Sequence, residues 1–272
     1  MSDADDGLPL DEVGSWAKEK HERLRKYVDI SRAVRRKFLQ GSGGATYTDL
    51  FCGSGRAFIR DSDEVIDGSP LVAFKSARDG GAPFSQIHIG DVEDTRVTAA
   101  ARRIANAGGA VATYVGKAED VAPQIVARLN PHGLHFIFLD PYNLDALPFT
   151  VIEAFARLRR IDMLIHVSAQ DLQRNLNAYT KLEDNRLERF APGWRQHVSL
   201  DQSQQRIRAA LLSYWAGKFE TLGLAPAERA ELISGQERNQ RLYWLVLVSR
   251  EKLARDFWEK IRNVSGQREL PL

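Results

Sequence analysis

Between residues 45 and 167, five short apolar runs alternate with amphipathic ones, and this rhythm restricts the fold more than any other feature of the chain. The apolar runs are "ATYTDLF", "SQIHIGD", "AVATYV", "LHFIFLD" and "DMLIHV". Each has the length and residue types of a buried strand. The stretches between them read as helices over "SPLVAFKSARD", residues 94–107, "APQIVARL" and residues 148–159. In the first, Ser69 is placed to cap, Pro70 suits the first helical position and Gly80–Gly81 ends the element. Strands that are apolar on both sides and separated by helices predict an α/β fold, with a mostly parallel twisted sheet covered on each face.

The flanks extend this plan. Residues 15–39 place apolar side chains near helical spacing, predicting a long amphipathic helix, with room for a kink, that "QGSGG" stops. The polar stretch 56–68 reads as an enlarged loop beside the turn at "GSG". Residues 168–240 break the alternation; they hold the charged "KLEDNRLERFAPGW" and a helix over "SQQRIRAALLSYWAGKFETLG", and read as a largely helical insertion. "RLYWLVLVS" supplies a sixth strand and "REKLARDFWEKIRN" a closing helix. Four segments result: 1–44, an N-terminal helical segment on the core; 45–167, a Rossmann-like core; 168–240, an insertion or lid; and 241–272, the last strand and helix.

Composition excludes little and so directs attention to local features. With 38 lysines and arginines against 36 acids in 272 residues, bulk charge neither demands nor forbids a polyanionic partner. The opening "MSDADDGLPL" lacks the profile of a secretory signal, and no apolar run approaches the roughly 20 residues of a bilayer span. A cytoplasmic protein is expected, without a membrane partner. The lone Cys52 and the six histidines show no metal-ligand spacing. Cys52 reads as a small buried hydrophobe.

In an open parallel sheet, ligands bind beyond the carboxyl ends of the strands, where strand order reverses. The candidate residues fall at those ends. Asp49, Gly53 and Gly55 follow the first strand, Asp91 ends the second, Glu119 and Asp120 follow the third, and Asp140, Pro141 and Tyr142 follow the fourth. Glycines two apart can be a plain turn or a cradle that lets a ligand approach the backbone. Asp91 suits ribose hydroxyls or the cap of the next helix, with Glu93 or Asp94 able to serve instead. Asp140 can accept a hydrogen bond from an amine, and Tyr142 can stack on a planar group or simply pack.

"DLFCGSG" resembles the first motif of class I S-adenosylmethionine-dependent methyltransferases, and "DPY" is similar to a shortened [DN]PP[YF] motif of amino-methylating members. The succession "KEKHERLRKYV", "YTDLFCGSG", "DGSPLVAF", "FIFLDPYNL" and "RLYWLVLVSREKLARDFWEKI" resembles that of the three-Cys-motif partner proteins, TcmP, over most of residues 16–262. This resemblance implies a prokaryotic, methyltransferase-like Rossmann fold, S-adenosylmethionine as cofactor, and a companion protein with three cysteines that is itself similar to radical S-adenosylmethionine enzymes. It implies cofactor contacts from Asp49, Phe51, Gly53, Ser54 and Gly55, with Asp91 at the ribose and Glu119 or its neighbouring backbone at the adenine. Asp140, Pro141 and Tyr142 would face the methyl acceptor.

The activity expected is direct methyl transfer to an amine or similar nucleophile of nucleic acid or peptide, with Asp140 orienting it. A binding subunit that keeps the fold without methylating is the other reading, favoured by the single proline of "DPY" and the stretched glycine loop. A nicotinamide dehydrogenase fits less well because a full GxGxxG is absent. The basic helix (Lys18, Lys20, Arg23, Arg25, Lys26, Arg32, Arg35, Arg36 and Lys37) either binds nucleic-acid phosphates or is a solvated surface.

Overall fold

The computed structural model describes residues 6–60, 62–234, 241–262 and 269–271. A short strand, β1 (Asp11–Val13), precedes two helices, α1 (Trp16–Ile30) and α2 (Arg32–Leu39). Next come β2 (Ala45–Asp49), a hairpin of β3 (Arg56–Ile59) and β4 (Val65–Asp67), and α3 (Ser69–Asp79). Strict alternation follows with β5 (Gln86–Asp91), α4 (Asp94–Asn106), β6 (Val111–Val115), α5 (Ala118–Val126), β7 (Leu134–Leu139), α6 (Phe149–Phe155) and β8 (Ile161–Ser168). Helices α7 (Ala169–Tyr179), α8 (Arg186–Phe190) and α9 (Gln204–Thr221) then lead to β9 (Ala225–Pro226), β10 (Arg229–Ser234) and β11 (Arg241–Ser249). The described chain ends with α10 (Lys252–Arg262) and β12 (Glu269–Pro271).

The main sheet runs in the order β12, β10, β11, β8, β7, β2, β5, β6, with β9 pairing on β11. From β6 to β8 all neighbours are parallel. β11 reverses direction against β8, and β10 reverses again against β11. The chain steps outward from β2 to β5 and β6, then returns to lay β7 against the other side of β2. This is a Rossmann-like arrangement whose order reverses between β2 and β7.

Side-chain alternation shows why both faces are covered. On β7, Phe136 and Phe138 join one core while Ile137 and Leu139 join the other. On β11, Tyr243, Leu245 and Leu247 divide in the same way from Trp244, Val246 and Val248. The first core takes Leu24, Tyr27 and Val28 of α1, together with residues of α3, α4 and Trp258 of α10. The second takes α5 to α9, including Trp194 and Trp215. Period-two strands with apolar residues on both sides need a helix layer on each face, and the chain supplies both.

Several expectations need correction. The single N-terminal helix is two, divided at Ser31, whose hydroxyl donates to the Tyr27 carbonyl at 2.7 Å and competes with the helical ladder. The loop expected over 56–68 holds β3 and β4, which with β1 form a separate three-stranded sheet. Its partner β1 lies more than 40 residues earlier, at Asp11 paired with Ala57, so the pairing left no local signal. Ser69 does not cap α3; Gly68 holds the cap position and the Ser69 hydroxyl donates to Asp49 at 2.6 Å. Residues 225–226 and 229–234, expected within the helical insertion, add strands to the sheet edge. Residues 1–5, 61, 235–240, 263–268 and 272 of the segments named above lie outside the described residues. Among the described residues no helix is long and apolar enough to cross a membrane.

Phe138 is fully buried on a central strand, so Phe138→Ala should lower unfolding free energy by about 3 to 5 kcal/mol in denaturant titration. Leu182, 89% exposed, is the control; Leu182→Ala should change it by less than about 0.5 kcal/mol.

Candidate functional site

The order reversal opens a cleft of about 410 Å³ above the carboxyl ends of β2, β5, β6 and β7. Phe51, Gly53, Gly55, Asp91, Glu119, Asp140 and Tyr142 line it, whereas Asp49, Ser54 and Pro141 stand behind its wall. Residues from outside the strand ends complete the enclosure: Asp11 from β1, Lys20 and His21 from α1, Arg96 from α4, and Arg189 from α8.

The glycine turn after β2 has a definite conformation. Gly53 and Gly55 lie at φ +54° and +83°, in the left-handed region that side chains disfavour. A Cβ on Gly55 would meet Ala100 of α4 at 3.0 Å, and one on Gly53 would run into the Asp11 carboxylate. The Ser54 amide donates to Asp11 Oδ2 at 2.5 Å, and the Gly53 amide donates to Asp91 Oδ2 at 3.2 Å. Asp91 Oδ1 also accepts the Glu93 amide at 3.1 Å, so Asp91 ties the turn to the start of α4 as well as facing the cleft.

Asp49 supports the turn from below. It is fully buried and accepts the Phe51 amide at 3.1 Å, the Tyr47 hydroxyl at 3.1 Å and the Ser69 hydroxyl at 2.6 Å. Burial pushes its carboxyl up to about 7 despite these donors, because all of them are neutral. Asp91 is likewise raised by burial, with its amide partners and Arg96 opposing the rise.

At the far wall Arg189 bridges two acids, 2.8 Å from Glu119 and 2.7 Å from Asp145. The helical segment after β8 is thereby joined to the ends of β6 and β7. Asp140 sits deeper, paired with Lys20 through Oδ2 and 2.8 Å from His166 Nδ1 through Oδ1. Burial alone would raise this carboxyl, but Lys20 and His166 outweigh it and hold it well below the usual range. His166 meets Tyr243 edge-on at 4.4 Å, and the Tyr243 hydroxyl donates to the Trp16 carbonyl, linking β8 and β11 to the start of α1. Tyr142 is 78% exposed at the mouth. His21 has a buried Nδ1 with no hydrogen-bond partner among the described residues; burial and then Lys20 press its pKa down to about 4, so its ring is neutral. Burial keeps the Cys52 thiol protonated.

Sequence reasoning missed Asp11, Arg96 and Arg189, and it counted Lys20 only as one of several helix cations. Most of those cations are engaged: Lys18 with Glu64, Arg25 and Lys26 with Glu22, and Arg32 with Asp29. Arg35 is buried against the carbonyls of Ala82 and Val28, and Arg36 donates to Gly80 and Gly81. The acids four positions or fewer from several of them in "EKHERLRK" and "DISR" are a signal for such pairing.

No protein-family model matches the chain. The mouse tRNA (uracil-5-)-methyltransferase homolog A is 28% identical over 141 residues, 52% of this chain and 20% of that protein. The chain therefore spans about a fifth of the length of this curated relative. Among solved structures, the N-methyltransferase NodS of Bradyrhizobium japonicum, crystallised with S-adenosyl-L-homocysteine, is 13% identical with a TM-score of 0.46, over 90% of this chain and 92% of that one. An O-methyltransferase of Bacillus cereus, also crystallised with S-adenosylhomocysteine, is 15% identical with a TM-score of 0.47, over 89% and 84%. The Legionella pneumophila protein LPL1258 is 11% identical with a TM-score of 0.49, over 92% and 96%.

Folding raises the pKa of Asp49, so the native state prefers the protonated acid. Its favourable contribution is complete below the unfolded value and is lost as pH rises through about 7. Replacing Asp49 by Asn removes this dependence; between about pH 5 and about pH 8 the variant should gain about 2 to 3 kcal/mol on the parent in parallel urea titrations. A stability difference independent of pH would show that Asp49 is ionised throughout.

Proposed function

We propose that the cleft binds S-adenosylmethionine and that the chain transfers its methyl group to an amine or similar nucleophile. The observation carrying this reading is the meeting of Gly53, Gly55, Asp91, Glu119 and Asp140 on one cleft at the point of strand-order reversal. Its volume, about 410 Å³, suits a small-molecule ligand. The positive φ of Gly53 and Gly55 shapes the turn, and their missing side chains let Asp11 and α4 close against it, so the cleft wall keeps its form. Asp91 and Glu119 can accept hydrogen bonds from hydroxyl and amino groups of an adenosyl moiety, and Phe51 offers an apolar surface.

The cofactor supplies a methyl group already activated by a sulfonium, leaving the protein to align the acceptor and exclude water. Asp140, kept ionised by Lys20 and His166, accepts a hydrogen bond from the acceptor nitrogen and offsets the positive charge developing there. Tyr142, open to solvent beside it, gives a planar acceptor a face to stack on. A nucleic-acid acceptor accords with the name of the mouse relative, and phosphates could displace the exposed acids now paired with Lys18, Arg25 and Arg32. The sequence motifs extend the proposal to a prokaryotic TcmP-type protein working beside a three-Cys-motif companion.

One observation favours a second reading, a cofactor-holding subunit that does not methylate. Lys20 already occupies one oxygen of Asp140, where an acceptor amine would bind.

Calorimetric titration with S-adenosylmethionine and, separately, with NAD tests the cofactor; binding of the former alone is expected. A labelled-methyl assay on nucleic acid, peptide and companion then separates the two readings. Asp140→Ala should abolish transfer, a loss of at least about 100-fold, while cofactor affinity changes less than about twofold. Equal activity in that variant would remove Asp140 from the reaction.

A further inference from the structure

The acid seated on the glycine turn comes from the N-terminal strap rather than from any strand end. Residues 6–10 and β1 cross the turn and are held there by Arg103 of α4, only 5% exposed. Its guanidinium donates to both Asp6 oxygens at 2.8 and 2.9 Å, to the carbonyls of Leu8 and Pro9, and to that of Ser54 in the turn itself. Asp11 is therefore a fixed part of the cleft wall. Since its carboxylate takes the Ser54 amide, a ligand anion cannot use that donor, whereas a ligand cation can add to the carboxylate.

Arg96 stands beside it with opposite charge. Its Nε lies 3.2 Å from Asp11 Oδ1, and its Nη atoms lie 3.2 Å from Glu93 and 3.8 Å from Asp91. The side chains of Asp11 and Arg96 are 25% and 38% exposed, open enough to exchange partners with a ligand. A planar guanidinium matches a carboxylate edge to edge, so a ligand carboxylate can take over the contacts Arg96 now makes with Asp11 and Glu93. The pair of Lys20 with Asp140 also offers both charges, but at 11% and 14% exposure, with His166 closing the other oxygen, it is far less open.

The geometry points to Asp11 and Arg96 as the residues that select a ligand with an α-amino-acid end, Asp11 receiving its ammonium and Arg96 its carboxylate beside Gly53. This inference rests on the proposed adenosyl cofactor and specifies how the chain would tell it from adenosyl compounds lacking the amino-acid end. It makes the N-terminal strap a component of the binding site.

The test is calorimetry on the full chain with two probes, S-adenosylhomocysteine and 5′-methylthioadenosine, which share the adenosyl thioether and differ in the amino-acid end. The parent should bind the first at least about tenfold more tightly. Asp11→Asn and Arg96→Met should each shrink that ratio at least about fivefold, with affinity for methylthioadenosine held within about twofold, which also certifies folding. A ratio near one in the parent, a ratio unchanged in both variants, or a ratio that collapses only in Lys20→Met would overturn the assignment. If neither probe binds the parent, the adenosyl reading itself fails.

Discussion

The gap between the connections that leave β2 and β7 in opposite directions is the constraint from which the rest of the site follows. Parallel pairing brings the carboxyl ends of β2, β5, β6 and β7 to one edge, and the reversal of order keeps the helices on either side from closing over it. The two cores maintain this arrangement, because residues alternating along β7 and β11 tie each strand to helices on both faces. Side chains placed just beyond those strands therefore meet, whatever their separation in sequence.

Charge compensation shapes what the cleft can do. Among the acids at its edge, Asp140 is met by Lys20, Glu119 by Arg189, Asp91 by the Gly53 amide, and Asp11 by the Ser54 amide. A charged ligand must therefore exchange partners rather than find vacant ones. Partly exposed pairs such as Arg189 with Glu119 are worth about 0 to 1 kcal/mol and can open cheaply. The pair of Lys20 with Asp140 is more enclosed, and removing either member would leave a buried charge. Among the described residues Asp49 has only neutral donors and no cation paired with it, and burial raises its carboxyl despite them.

Much of the fold was legible because strands buried on both faces leave an unambiguous pattern; all five apolar runs between 45 and 167 are strands of the central sheet. The strand ends of Asp91 and Asp140 were legible for the same reason. What escaped were pairings made by residues distant in sequence. The contact of β1 with β3 joins Asp11 to Ala57, and three-residue strands among charged residues carry no periodicity. Lys20 was visible only as one helix cation among many, since its placement depends on how α1 lies across the sheet. Ser69 shows the limit of local rules: it has a capping residue's chemistry, but a buried Asp49 within 2.6 Å claims its hydroxyl.

The central claim is that the strand ends enclose a single adenosyl ligand. Amide chemical-shift mapping during titration with S-adenosylhomocysteine addresses it most directly. One saturable process should move the signals of Gly53, Asp91, Glu119 and Asp140 together, with a common midpoint. Shifts confined to one of these positions, or clustered on the opposite edge of the sheet around Arg35 and Phe84, would contradict the account.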